Sequence, residues 1–174
     1  MADYLVLVNG LPGAGKTTLA TQLAPALTAP LLSKDAIKEA LADVVGAAPA
    51  SALGPVAMEA AWSIAAALPG LVVVESWWFR PRDLGYVRTG LGRCAANAMV
   101  EVWCDVPPDI ARRRYAARRR HPVHDDQQRL EHAWDEWAAR AEPLGVGPTV
   151  RVDTTGRVDV EEVARLVQRT LGQA

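Results

Sequence analysis

The sequence predicts an α/β fold: one five-stranded parallel sheet covered by helices on both faces. Three observations carry this. Short apolar runs alternate with longer helical patterns along the chain. The runs Leu5-Val6-Leu7-Val8 and Leu71-Val72-Val73-Val74 do not alternate with polar residues, which suits strands buried on both sides. Residues 10–17 read GLPGAGKT, the full G-x-x-x-x-G-K-[ST] phosphate loop, set between the first apolar run and a helix-forming stretch.

Taken in order, strands are expected at Tyr4–Asn9, Leu31–Ser33, Leu71–Glu75, Ala98–Cys104 and Thr149–Asp153. Helices are expected at about 16–27, 35–44, 55–68, 81–96, 107–120, 126–140 and 159–171. Pro25 and Pro30 limit the first helix. Asp105, followed by Pro107 and Pro108, reads as a cap for the fifth, which Pro122 ends. Asp159-Val-Glu-Glu starts the last. Ala47–Gly54 reads as a flexible loop. Trp134 and Trp137 pack their helix onto the body. Residues 1–174 are read as a single domain with a lid at about 111–127, and the phosphate loop in a three-layer α/β arrangement makes the expected fold class a P-loop NTPase.

Half of the 174 residues are hydrophobic and the formal net charge is −1, so no charge imbalance recruits nucleic acid or a membrane. Cys94 and Cys104 are too few for a disulfide framework and lack metal-ligand spacing, so both read as buried thiols. With no basic leader and no long apolar segment, a cytoplasmic enzyme is expected.

The phosphate loop carries the most chemistry. Its glycines, Gly10, Gly13 and Gly15, let the backbone around Leu11, Pro12 and Ala14 turn N–H groups toward phosphate oxygens. Lys16 reaches the β- and γ-phosphates, Thr17 offers a hydroxyl to Mg²⁺, and Thr18 opens a helix whose positive end faces the same anion. A nucleoside triphosphate, ATP, is the expected ligand.

Ligands in such sheets sit at the carboxyl ends of the strands. There, Asp35 reads as a general base for an acceptor hydroxyl or as a helix N-cap. Glu75 ends a Walker-B-like strand and reads as a magnesium or acceptor ligand, or as a partner for loop amides. Trp77, Trp78 and Phe79 form an aromatic wall for a sizeable acceptor, or core beneath a loop. Lys34, Arg80 and Arg82 lie beside them as acceptor or phosphate contacts. Six arginines between Arg112 and Arg120 suggest a basic lid, with Arg114 and Arg118 on one helix face. A solvated face or an RNA-contacting patch are the other readings. His121 and His124 read as lid-tip contacts.

Together, Asn9–Thr17, Ser33-Lys34-Asp35-Ala36-Ile37-Lys38-Glu39, Cys104-Asp105, Arg114…Arg118…Arg120-His121-Pro122 and Val152–Gly156 resemble small bacterial P-loop kinases of the AAA-33 group. That group is similar to chloramphenicol phosphotransferases and, more distantly, to zeta-toxin-type and gluconate-type kinases. The resemblance implies ATP-dependent phosphorylation of a hydroxyl on a small molecule. Asp35 matches the proposed base, Arg114 and Arg118 the lid arginines, and Thr154 to Val158, with Thr155 and Arg157, the adenine-side segment. Glu75 departs from the Asp common at its position. The tryptophans lie outside the shared pattern and suit a bulky acceptor, an antibiotic alcohol among them. The alternatives are a nucleotide, polynucleotide or sugar kinase, or a non-kinase switch protein. Against the switch, no Asn-Lys-x-Asp guanine segment is present.

Overall fold

The computed structural model describes residues 2–46 and 50–172. Strands β1 (Ala2–Asn9), β2 (Leu31–Ser33), β3 (Gly70–Glu75), β4 (Ala98–Asp105) and β5 (Thr149–Asp153) form one parallel sheet in the order β2-β3-β1-β4-β5. Between them run α1 (Lys16–Ala26), α2 (Lys34–Val45), α3 (Ala50–Ala67), α4 (Arg80–Cys94), α5 (Pro108–Ala116), α6 (Asp126–His132), α7 (Trp134–Arg140) and, last, α8 (Val160–Thr170). A short 3₁₀ turn, Pro122–His124, follows α5. The predicted fold class is the observed one.

The unbroken apolar strands have a cause. In β1, Val6 and Val8 point into one core with Leu19 and Leu23 of α1 and Val163 and Val167 of α8. Leu5 and Leu7 point into the other, with Ala61 and Trp62 of α3 and Val87 of α4. Each wholly buried Val or Leu contributes roughly 1.5–3 kcal/mol, so both strand faces are apolar in a three-layer fold.

Several sequence expectations need correction. Residues 50–54 of the expected loop belong to α3, which continues past Pro55; residues 47–49 lie outside the described residues. Pro25 sits inside the last turn of α1 rather than stopping it, because a proline there removes only one late hydrogen bond. The fifth helix ends at Ala116, not near residue 120, and Pro107 stands at its start in place of an Asp105 cap. Asp105 ends β4 and pairs with Arg151 at 3.1 Å. The expected helix 126–140 is two helices, broken at Ala133. Asp159 does cap α8, accepting from the Glu162 amide.

Parallel register levels the strand ends: Val8 lies opposite Glu75, Ser33 opposite Glu75, and Asp105 opposite Asp153. The chain then turns at Gly10, Gly13 and Gly15, all at positive φ. Gly13 is the most constrained, with φ +84°, and a Cβ there would come within 2.1 Å of the Ala111 carbonyl oxygen. Gly13→Ala combines left-handed strain with overpacking and is expected to cost about 3 kcal/mol. In a chain of this size that is a fall of roughly 6–12 °C in melting temperature. An unchanged melting curve would show that the loop accommodates the methyl.

Candidate active site

The phosphate loop wraps the start of α1. Lys16 is buried, and its Nζ donates to the Leu11 carbonyl at 3.0 Å. The ammonium lies 5.9 Å from the Trp77 ring centroid, a cation–π arrangement. Burial lowers the Lys16 pKa, while Glu75 and Cys104 act against that shift. Ala14 and Leu11 are buried beneath the loop, and Gly10 lies so near Cys104 that a side chain there would strike its carbonyl.

Glu75 is buried at the end of β3. One carboxylate oxygen accepts from Thr17 Oγ1 at 3.3 Å, the other from Ser33 Oγ at 2.7 Å. Hard oxygen donors of this kind fit Mg²⁺, which is held by one or two protein oxygens together with nucleotide phosphates. Among the described residues no cluster of three or more His, Cys, Asp or Glu side chains forms a self-sufficient metal site.

Ser33, not Asp35, caps α2: its side chain accepts from the Ala36 amide. Asp35 therefore stands in the first helical turn with its carboxylate directed elsewhere. It pairs with Lys34 at 3.2 Å and with Arg120 at 2.8 Å. Burial alone raises its pKa, but Lys34, Arg120 and His124 together hold it well below the usual carboxylate range. The carboxylate is ionised throughout the physiological range.

Two concavities meet at this edge. A groove of about 990 Å³ runs from Gly13, Gly15 and Thr18 past Arg114 to Thr154, Gly156 and Arg157. A cavity of about 60 Å³ lies on the other side, lined by Pro12, Lys16, Thr17, Lys34, Asp35, Glu75, Trp77, Arg82 and residues of the Arg-rich segment. Arg118 lines both. Arg114 does not point into the cavity; its guanidinium donates to the Thr154 and Thr155 carbonyls at 2.9 and 2.7 Å, tying α5 to the loop after β5.

Three expected site residues fall elsewhere. Trp78 is a core residue, stacked on Trp62 at 6.1 Å on the opposite face of the sheet from Trp77, because successive extended residues face opposite ways. Arg80 turns outward to Glu142 at 2.7 Å. Thr155 folds back onto Asp153, leaving the groove to its neighbours. Residues singled out by geometry alone are Ser33, Arg129, Asp126, Tyr115 and Trp137. Only Ser33 carried a sequence signal, as a hydroxyl two residues before Asp35.

Helix α2 also holds the segment after α5. Arg120 pairs with Asp35, Lys38 Nζ donates to the Val123 carbonyl at 2.8 Å, His121 meets Asp43 at 3.1 Å, and buried His124 meets Glu39 at 2.6 Å. Burial also brings the Lys38 ammonium down to about 8. Burial, then the Arg120 guanidinium, pulls His124 below its usual 6.5. A released segment therefore takes up a proton before the clasped one does. The stability His124 contributes is whole above pH ~6.5 and lost as pH falls through its lower clasped value. Hydrogen-exchange protection of residues 121–125, corrected for intrinsic rates, is expected to fall as pH drops below ~6.5. The drop should vanish in His124→Gln; an equal drop there would remove His124 from the clasp.

A phosphate loop at the end of β1, a carboxylate at the end of β3, and sheet order 2-3-1-4-5 define a P-loop kinase-type fold. The sequence profile of the AAA-33 family, described as an AAA domain, matches residues 5–144, and the chain belongs to that family. The chain is 31% identical over 170 residues to a shikimate kinase of Corynebacterium glutamicum, covering 94% of each. A crystal structure from Chloroflexus aurantiacus, of a protein provisionally named a kinase, superposes with a TM-score of 0.78 at 26% identity, covering 97% of this chain and 98% of that one. A gluconokinase of Sinorhizobium meliloti shares the fold at 19% identity, with a TM-score of 0.61 over 98% of this chain and 93% of its own. The Corynebacterium and Chloroflexus relatives support a phosphotransferase. Among the described residues no helix is long and apolar enough to cross a membrane.

Proposed function

We propose that this protein transfers the γ-phosphate of ATP to a hydroxyl of a small, anionic acceptor. The observation that carries the reading is Arg118, which lines both the large groove and the small cavity. A triphosphate laid along the groove, with its β-phosphate in the loop amides, brings its γ-phosphate to that shared wall. Arg157 and Thr154 flank the nucleoside end. Thr17 and Glu75 would hold Mg²⁺, which supplies charge neutralisation at the β- and γ-phosphates when bound.

The residues divide the work. Lys16 and Arg118 meet charge gathering on the transferring group. Asp35 accepts a hydrogen bond from the acceptor hydroxyl, orients it in line, and takes its proton as the new P–O bond forms. Trp77 covers the reacting atoms against water. Arg114 keeps α5 seated on the nucleotide-side loop, and closure of residues 111–127 completes the enclosure of both ligands.

The acceptor class follows from the cavity. Lys34, Arg82, Arg118, Arg120 and Arg129 line it against Asp35, Glu75 and Asp126, and at about 60 Å³ it suits a compact molecule. With Trp78 committed to the core, the broad aromatic wall that favoured a bulky antibiotic alcohol is reduced to Trp77 and Trp137. The kinship with a shikimate kinase supports a hydroxy acid. The test is ADP release on adding a panel of small hydroxy acids, shikimate among them, sugars, nucleosides and bulky antibiotic alcohols. Stimulation by hydroxy acids, with mass spectrometry recording one added phosphate, is expected. Stimulation confined to bulky neutral alcohols would overturn the acceptor assignment.

A further inference from the structure

Asn9 and Glu101 lie at the centre of the molecule, both wholly buried, and neither touches the groove or the cavity. Every polar atom of the Asn9 amide is used. Its Oδ1 accepts from the Gly10 N–H at 2.8 Å and the Trp78 N–H at 3.1 Å; its Nδ2 donates to the Trp78 carbonyl at 3.2 Å and to Glu101 Oε1 at 3.0 Å. Backbone contact between β1 and the chain leaving β3 extends to the Ser76 amide on the Val8 carbonyl. Beyond it the two chains part, and the Asn9 side chain takes the place of the missing peptide partner. Glu101 reaches across from β4, and its second oxygen accepts from the Leu144 N–H at 2.8 Å, beyond α7.

We infer that Asn9 and Glu101 form a positioning tie that sets the phosphate loop in register with the acceptor wall. The inference rests on the proposed function for which ligand lies on each side. The geometry supplies the rest. Gly10 opens the phosphate loop. Trp78 carries its neighbour Trp77 to the Lys16 ammonium. Leu144 anchors the chain leaving α7, whose Trp137 meets Trp77 edge-on at 6.0 Å. Loop, wall and helix thus share one buried carboxylate.

The tie demands a carboxylate. Asn9 Nδ2 donates to one Glu101 oxygen and the Leu144 N–H to the other, with the Gly145 amide also directed at the carboxylate. Glutamine offers one oxygen and one NH₂, so one donor would face another; leucine would leave these donors unpaired. Burial pushes the Glu101 pKa up on balance, with Asn9 and the Leu144 and Gly145 amides working against that shift.

A scaffold bond would change stability alone, whereas a tie also changes nucleotide grip. The test compares wild type, Asn9→Ala, Glu101→Gln and the double variant in binding a non-hydrolysable ATP analogue with Mg²⁺, by calorimetry. NMR hydrogen exchange of the Gly10 and Trp78 amides is read in parallel. Each single variant is expected to bind about tenfold more weakly, the double no more weakly than the worse single, and both amides to lose protection together. Affinities within twofold of wild type in folded variants, additive losses, or two amides exchanging independently would each overturn the tie. Should Glu101→Gln not fold, Asn9→Ser carries the same readouts. If wild type binds no analogue, the nucleotide reading fails, and the paired amides still decide the tie.

Discussion

Lys16→Ala is expected to lower kcat/KM for phosphoryl transfer by about a thousandfold, or roughly 4 kcal/mol of transition-state stabilisation. The magnitude reflects where the ammonium sits. It is buried beside Glu75 and beneath Trp77, where water screens little and each point charge acts strongly. The fold should survive, since burial already disfavours the charge and the Leu11 carbonyl is the one hydrogen-bond partner left behind. Single-turnover transfer at saturating nucleotide, alongside a melting curve, separates the two effects. Near-normal transfer in a folded variant would remove Lys16 from the reaction.

Asp35→Asn is expected to keep ATP-analogue affinity within about threefold while transfer falls by about 10²- to 10⁴-fold. The split follows from the site's layout: Asp35 lines the small cavity and not the nucleotide groove. Its low pKa adds a second expectation. With Lys34 and Arg120 holding the carboxylate ionised, Asp35 should contribute no acid limb to the rate between about pH 5 and 8. An acid limb there that disappears in Asp35→Asn would show that the carboxylate is not held as described. Turnover near wild type in that variant would take Asp35 out of the base role altogether.

The sheet and the phosphate loop were legible because each rests on local information. The unbroken apolar runs of β1 and β3 and the glycines at 10, 13 and 15 need no distant partner to declare themselves. Asp35 was legible as a candidate but not separable from a cap, because the residue that caps α2, Ser33, is recognised only from where its oxygen points. Wall and core stay open for Trp77 and Trp78 in the sequence because adjacent letters do not say which face of an extended segment each takes; one reaches the cavity and the other the core. Helix ends failed where tertiary contacts overrode propensity. Arginines 118–120 read as helix, yet the chain leaves it at Ala116, and Arg120 and His121 then engage α2. Glu101 did leave a trace, a carboxylate inside the apolar strand Met99-Val-Glu-Val-Trp103, but its partners Asn9 and Leu144 lie far away in sequence.

The proposed mechanism requires that the γ-phosphate leave ATP for a carbon-bound hydroxyl rather than for water. Phosphorus NMR of the protein with Mg²⁺, ATP and whichever panel hydroxyl compound promotes ADP release most follows that group directly. A phosphomonoester signal rising in step with ADP, and absent with Lys16→Ala, is the predicted result. Growth of inorganic phosphate with ADP, and no ester, would contradict it.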